Sequence, residues 1–261
     1  MKENETKEQV SGILVSIITP CFNSEGTIRD TIESIKNQTY TKIEYIIIDG
    51  ASNDHTVDIA ESYREELNKK GIMLKIVSES DKGIYDAMNK GIRLAQGEIV
   101  GIINSDDFYE HNAIERVVQT YLKEKFDMFY ADLRILVQNT QGEWKEKMIK
   151  RSRMRVPVVS RDWNHPTTFI TKEVYKRYQY KLESIHDDWD LVLKIRKAGY
   201  KIVILNEVLA NFRMGGASNE KNIRKCIQRG KARYKIYRNN GYSRWYWLEC
   251  ILIEVVKYIL G

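Results

Sequence analysis

Two adjacent carboxylates, Asp106 and Asp107, follow Asn104-Ser105 at the end of an apolar run, EIVGII (98–103). Neighbouring carboxylates repel unless a cation or hydrogen-bond donors hold them. Magnesium and manganese take oxygen ligands, often one or two carboxylates plus phosphate oxygens. The pair therefore suits a metal clamping a substrate diphosphate; a helix N-cap is the plain alternative. Asp49, in DGASND (49–54), also ends an apolar run and could bind a nucleobase or ribose, or simply close a turn. Pro20 and Asn23 could present backbone groups to a base, or merely end a strand. In SDKGIYDAMNKG (80–91), Asp81, Lys82 and Gly83 stand at a helix start, where N–H groups favour anions, and Tyr85 and Asn89 lie four apart on one helical face. Lys82 reads as a phosphate or ribose contact, or as a solvated surface lysine. In HDDWDL (186–191), Asp187, Asp188 and Asp190 surround Trp189. First-turn carboxylates suit the helix dipole, but three exceed capping needs, and one partly desolvated by an aromatic ring can act as a general base. Arg213, Gly215 and Gly216 belong to a glycine loop (212–218) that could close over phosphates or simply connect two elements.

Apolar runs at 15–19, 43–48, 73–78 and 98–103 read as buried strands, and helical periodicity fills the gaps at 28–36, 54–68, 84–95 and 112–123. This alternation predicts an α/β fold, a mostly parallel, Rossmann-like sheet with helices on both faces. Asp49 and Asn104–Asp107 then fall at the carboxyl ends of strands, the edge where open α/β sheets bind ligands. Residues 128–149 alternate around a break at 139–142 and predict an antiparallel hairpin, with a basic loop at 147–155. HPTTFIT (165–171), headed by His165, reads as a strand, 187–198 as a helix stopped by Gly199, and 201–205 as the last strand. Two helices, about 219–239 and 243–259, close the chain. The expected organisation is a polar tail (1–12), one α/β domain (13–218, its two halves dividing at 110/111) and basic, amphipathic C-terminal helices (219–261).

The composition, 43% hydrophobic and 30% charged over 261 residues, is that of a soluble globular protein. Met1–Gln9 lacks the apolar core of a secretory signal, and no apolar stretch is long enough to span a membrane. Cys21, Cys226 and Cys250 are scattered, which argues against a zinc site or disulfide framework and for a reducing cytoplasm. The net charge is +6, yet Lys221–Gly261 alone holds ten basic and two acidic side chains, leaving residues 1–220 slightly acidic. That tail suits anionic lipid headgroups or nucleic acid. Its stripe of Leu248, Ile251, Leu252, Val255, Val256 and Ile259, beside Trp245 and Trp247, favours an interfacial helix over nucleic-acid binding, for which no module is recognisable.

In their order, TPCFN (19–23), DGASND, SDKGIYDAMNKGI (80–92), NSDD (104–107), DDWDL (187–191) and FRMGGAS (212–218) strongly resemble glycosyltransferase family 2, and within it bacterial enzymes that build surface polysaccharides such as O-antigen. The resemblance covers about residues 14–218. It implies the GT-A fold, a divalent cation (Mn2+ or Mg2+) and inverting transfer of a hexose from a nucleoside-diphosphate sugar, UDP-linked by preference. Asp49 would bind the donor base, with Pro20, Asn23, Asp81, Lys82, Asn104 and Ser105 around the donor. Asp106 would hold the metal, with Asp107 in support because Asn104 stands where many members carry an acid. Asp188 would be the base, with Asp187 as alternative. Met214-Gly215-Gly216 replaces a metal-binding histidine common in relatives. His165, Trp189, Arg213, Gly215 and Gly216 are candidates on the acceptor side. The expected acceptor is a sugar, carried on a lipid diphosphate, met at the inner face of the cytoplasmic membrane. A dehydrogenase is disfavoured because no GxGxxG follows the first strand. A nucleotidyltransferase is the enzymatic rival, but it would need no base at Asp188. A non-catalytic sugar-nucleotide binder is the other alternative.

Overall fold

The computed structural model describes residues 12–215 and 223–260. In the first half, parallel strands β1 (Val15–Cys21), β2 (Ile43–Asp49), β3 (Met73–Ser78) and β4 (Ile99–Ile102) lie in the spatial order β3-β2-β1-β4. Helices α1 (Ile28–Lys36), α2 (Thr56–Ser62), α3 (Arg64–Lys69) and α4 (Ile84–Leu94) connect them. β1 and β2 are buried at every position, as strands covered on both faces must be. Side chains alternate between faces. Ile17, Tyr45 and Ile47 pack with Ile28 and Ile32 of α1, whereas Ile18, Ile46 and Ile48 pack with Met88 and Ile92 of α4.

The sheet continues through β5 (Phe108–Tyr109), helix α5 (Ala113–Glu124), β6 (Met128–Gln138), β7 (Trp144–Lys150), β8 (Phe169–Thr171), helices α6 (Lys172–Arg177) and α7 (Asp187–Lys197), and β9 (Ile202–Arg213). Its full order is β3-β2-β1-β4-β8-β6-β9-β5, with β7 hairpinned onto β6. β8 runs antiparallel to β4 and β6, and β5 antiparallel to β9, while β6 and β9 are parallel. The anticipated mostly parallel sheet with a smaller antiparallel element is thus present. Helices α8 (Ile223–Asn239) and α9 (Tyr246–Leu260) follow.

Two glycines show how tightly the layers close. A Cβ on Gly91 of α4 would collide with the Ile18 side chain of β1, and one on Gly101 of β4 with the Phe169 ring of β8. Gly91 therefore lets the DKGIYDAMNKG helix lie flat against the sheet.

Several expectations need correction. β1 runs through Pro20 to Cys21, paired with β2, rather than stopping at the proline. β1 pairs with β4 only as far as Ile18, so the missing proline N–H costs no bond on that side. In HPTTFIT only the last three residues are strand, and His165–Thr167 is a 3-10 turn. There Pro166 cannot donate, and the Thr167 hydroxyl replaces the ladder by accepting from the Ala131 N–H (3.0 Å) and donating to the Ala131 carbonyl (2.7 Å). β9 spans 12 residues, far beyond 201–205, because its polar positions meet long-range partners such as Glu207 with Arg116. In the tail, Arg229 and Arg233 turn inward to Glu254 of α9 (2.9 and 3.0 Å), so these two are withdrawn from the basic surface expected to meet anionic headgroups.

Candidate active site

The carboxyl edge of β1 and β2 carries two loops bonded to each other. Asn23 donates its N–H to Ser52 Oγ (2.7 Å), and its side chain accepts from the Asn53 N–H (2.9 Å). The Ser24 N–H donates to Thr56 Oγ1 (2.7 Å). Asn23 and Ala51 take positive φ, 49° and 63°, at these tight turns. Asp49 is fully buried beneath them. Its carboxylate accepts the Ser52 N–H (2.9 Å), the Ser52 hydroxyl and the Ser78 hydroxyl (2.6 Å), and Cys21 Sγ lies 3.7 Å away. Asp49 therefore braces the 50–54 turn from within. Asp81 sits against Gly50 and accepts the Gly83 N–H (2.7 Å). Asp86 accepts the Lys82 N–H (3.1 Å), so side chains of this same segment hold the two backbone donors just before α4; the Lys82 side chain is exposed. Pro20 is buried within its strand.

The acidic turn is next along the edge. Ser105 Oγ meets Ser24 Oγ at 2.8 Å, joining this turn to the loop after β1. Asp107 points inward: it is fully buried, one oxygen accepts the Arg213 N–H (3.1 Å) and the other has no hydrogen-bond partner. Burial pushes its carboxyl well up, and the Asp106 charge adds to the shift. Asp106 is half-buried and points outward. Burial raises its carboxyl too, against the pull of the Arg213 guanidinium. Asn104 Oδ1 is buried with no partner. Among the described residues no three His, Cys, Asp or Glu side chains gather to share an ion. An ion taking the Asp106 carboxylate, with further ligands from a diphosphate and water, fits this donor set; an all-protein cage does not. The Arg213 guanidinium lies between the Phe108 and Trp144 rings (5.1 and 5.3 Å) and pairs with Asp30 at 2.5 Å. Gly215 has φ 148°, and Gly216 lies outside the described residues.

The start of α7 forms a third group, tied to the first turns of α4. Tyr85 donates to the Ile185 carbonyl (3.0 Å) and stacks on Tyr180 (5.3 Å between centroids). The Asn89 amide donates to the Tyr180 carbonyl (2.8 Å) and accepts its N–H (3.1 Å), clamping the loop that leads to α7. Tyr180 Oη in turn meets His165 Nε2 and Tyr175 Oη, each at 3.4 Å. Trp189 is buried against Trp163 (5.8 Å). The Tyr85 phenol is pushed up by burial and then by the Asp188 charge, and burial holds the His165 imidazole down while the same charge opposes it. Asp188 thus shares one pocket with Tyr85, Tyr180 and His165.

The acids of this helix start divide sharply. Asp187 is buried and accepts the Glu183 N–H (2.9 Å). Asp190 is buried and held by Lys194 (2.7 Å), Lys181 (3.4 Å) and the Asn240 amide (2.7 Å). Asp188 is half-buried, accepts the adjacent Trp189 N–H (2.7 Å) and lies within hydrogen-bonding reach of the Tyr85 phenol. Because α4 begins beside Asp81 and Gly50, its first turns link this pocket to the loops around Asp49 on the same edge of the sheet. Tyr180 and Trp163 were missed from sequence, since neither sits in a motif. The Tyr85/Asn89 pair at i, i+4 was the available signal for the pocket's floor.

Residues 16–184 match the glycosyl transferase family 2 model. The chain is 37% identical to the glycosyltransferase EpsH of Bacillus subtilis over 106 residues, 41% of this chain and 30% of that protein. It is 26% identical to the teichuronic acid biosynthesis glycosyltransferase TuaG of the same organism over 208 residues, 77% of this chain and 79% of TuaG. It therefore spans less than a third of EpsH but most of TuaG. Two solved structures share the fold. Staphylococcus aureus TarS in complex with UDP has a TM-score of 0.64 at 17% identity, covering 95% of this chain and 72% of that one. The mannosyltransferase PcManGT of Pyrobaculum calidifontis, in complex with GDP-Man and Mn2+, has a TM-score of 0.65 at 17% identity, covering 100% of this chain and 77% of that one.

Proposed function

The chain belongs to glycosyl transferase family 2, with the GT-A fold, and from that premise we propose that it transfers a hexose with inversion from a UDP-sugar to a hydroxyl of a lipid-diphosphate-linked sugar acceptor. One observation carries the assignment of roles. Within NSDD and DDWDL, Asp107, Asp187 and Asp190 are buried, while Asp106 and Asp188 are left half-open. These are the positions that need to meet, respectively, a leaving diphosphate and an acceptor.

In this reading the loops over Asp49 receive the base and ribose, with Asp81 alongside. A divalent ion, Mn2+ or Mg2+, held by Asp106 with Asn104 Oδ1 beside it, would supply Lewis-acid neutralisation of the leaving diphosphate. Asp188 accepts the proton of the acceptor hydroxyl as that oxygen bonds to the anomeric carbon. The bond from that carbon to the diphosphate oxygen breaks on the opposite face, and the nucleoside diphosphate departs with the electron pair. One displacement needs one base, unlike a retaining glycosidase, which needs two working carboxylates. His165 and Tyr180 line the acceptor side and hold Asp188 in a partly water-excluded pocket. A nucleotidyltransferase would have no use for this pocket.

The apolar outer face of α9 supports peripheral attachment to the inner face of the cytoplasmic membrane, where a lipid-linked acceptor resides. No helix among the described residues is long and apolar enough to cross a membrane. The test is nucleoside-diphosphate release from UDP-, GDP- and dTDP-sugars, with and without Mn2+. Metal-stimulated release from a UDP-sugar supports the reading; release from none of them refutes it.

A further inference from the structure

The basic loop before the 3-10 turn takes no part in the chemistry above. RSRMRVPVVSR (151–161) has four arginines and no acid. Two of them anchor it: Arg151 pairs with buried Asp132 (2.6 Å) and Arg155 with Asp162 (2.7 Å). Arg153 and Arg161 are left exposed. Between them Met154 and Val156 stand in solvent at 48% and 95% exposure.

This loop is seated on the C-terminal helices. The Ser160 N–H donates to Tyr237 Oη of α8 (3.1 Å), and Ser160 Oγ donates to Glu249 of α9 (3.4 Å). α9 turns Cys250, Ile253 and Glu254 inward. It leaves Leu248, Ile251, Leu252 and Val255 about half exposed or more, with Trp245 just before it at 72%. Lys231, Lys235 and Arg244 are exposed around them. Two segments some 90 residues apart, both mixing exposed apolar and cationic side chains, therefore adjoin. From the loop the chain runs directly into the pocket, since Trp163 touches both His165 (5.7 Å) and Trp189 (5.8 Å).

We propose that loop 151–161 and the outer face of α9 form one composite surface that docks on an anionic lipid bilayer and sets the Asp188 pocket beside it. This rests on the membrane reading above and names the surface and its orientation. Charge selects the occupant. The exposed Lys231, Lys235 and Arg244 of the tail, added to Arg153 and Arg161 of the loop, would repel a second copy but attract anionic headgroups. The exposed Val156, Trp245 and Leu252 suit insertion among acyl chains, as in interfacial helices.

The full chain is floated with phosphatidylcholine vesicles with and without phosphatidylglycerol. Binding should require the anionic lipid. R153Q/R161Q should weaken it about 25-fold, at about fivefold for each charge removed near an anionic surface. I251S/L252S should abolish binding to the anionic vesicles. Both variants should keep wild-type circular dichroism and donor hydrolysis. If R153Q/R161Q binds as wild type while I251S/L252S does not, the composite surface is wrong and the tail alone is the anchor. If wild type ignores anionic vesicles, this proposal and the peripheral reading fail together. A concentration-dependent dimer that I251S/L252S dissociates, without vesicle binding, overturns the proposal in favour of self-association.

Discussion

Replacing Asp188 with asparagine separates catalysis from folding. The side chain accepts the neighbouring Trp189 N–H at 2.7 Å and lies in reach of the Tyr85 phenol, and the asparagine carbonyl can keep both contacts. The variant should therefore melt like wild type, within about 0.5 kcal/mol. Losing a general base lowers turnover by about 10²–10⁴, which corresponds to roughly 3–5.5 kcal/mol of barrier. The two neighbouring acids predict the opposite pattern. Asp187→Asn weakens a buried bond to the Glu183 N–H, and Asp190→Asn breaks the link to Lys194 and Lys181 while facing the Asn240 amide with another amide. Each should cost about 1–3 kcal/mol of stability, the range for hydrogen bonds to charged groups, with a smaller effect on rate. The assays are nucleoside-diphosphate release with an accepted acceptor, donor titration calorimetry and thermal melting. Asp188→Asn should bind donor normally and not turn over. Asp188→Asn with kcat within tenfold of wild type, or Asp187→Asn inactive with an unshifted melt, would refute the reasoning.

Asn89→Ala removes both bonds to the Tyr180 backbone from a buried site; it should cost about 2–4 kcal/mol in urea titrations, counting two lost partners. It should also lower kcat while leaving donor affinity unchanged, because the loosened loop carries Asp188 and not the donor loops. Asp106→Asn should melt normally yet raise the Mn2+ concentration for half-activation by more than about 10-fold, a factor that disturbing even an outer-sphere partner of a metal can reach. Glu44 is buried, and although burial alone would raise its carboxyl, bonds from Lys75, Ser16 and the Gln96 N–H outweigh this and hold it below the ordinary 4.5. A depressed carboxyl stabilises the fold above that ordinary value and loses the contribution as pH falls through the depressed one. Glu44→Gln should thus cost about 1–3 kcal/mol at neutral pH, with Lys75 partly exposed, and the gap to wild type should shrink in acid melts.

The parallel half of the fold was legible because its strands announce themselves locally: each is a short apolar run ended by polar residues, and for β1, β2 and β4 burial on both faces requires nothing subtler. The second half was less so. β9 was expected over five residues and spans 12, since Glu207, Asn211 and Arg213 interrupt the apolar pattern. Their partners are Arg116, Glu110 and Asp30, 91, 101 and 183 positions away, so no local window could reveal that these polar residues are at home in a strand. HPTTFIT misled for the converse reason. Its composition is that of a strand, but Asn164 and Thr167 take over the Ala131 bonding that a ladder would have made. The basic tail was expected to face anionic headgroups as a whole, whereas Glu254 draws Arg229 and Arg233 into the seam between two helices.

The carboxylates show why motif and role must be argued separately. In sequence Asp187, Asp188 and Asp190 are equivalent first-turn acids, and Asp106 and Asp107 an undivided pair. Folding assigns them by the direction each side chain leaves the backbone. Those aimed inward are desolvated and must be bonded to keep their charge or pushed up to lose it; Asp190 takes the first course and Asp107 the second. Neither can easily exchange its partners for a substrate. A carboxylate that is half-open and bonded only to neutral donors retains lone pairs to offer, and its partial desolvation strengthens whatever it binds. The Tyr85–Tyr180–His165 pocket supplies that partial desolvation at Asp188 without capping its oxygens with a cation. Introducing one there, as in Tyr180→Arg, should pair the carboxylate and abolish turnover even where the protein still folds and binds donor. Unimpaired turnover in a folded Tyr180→Arg protein would mean that the reacting proton is taken elsewhere.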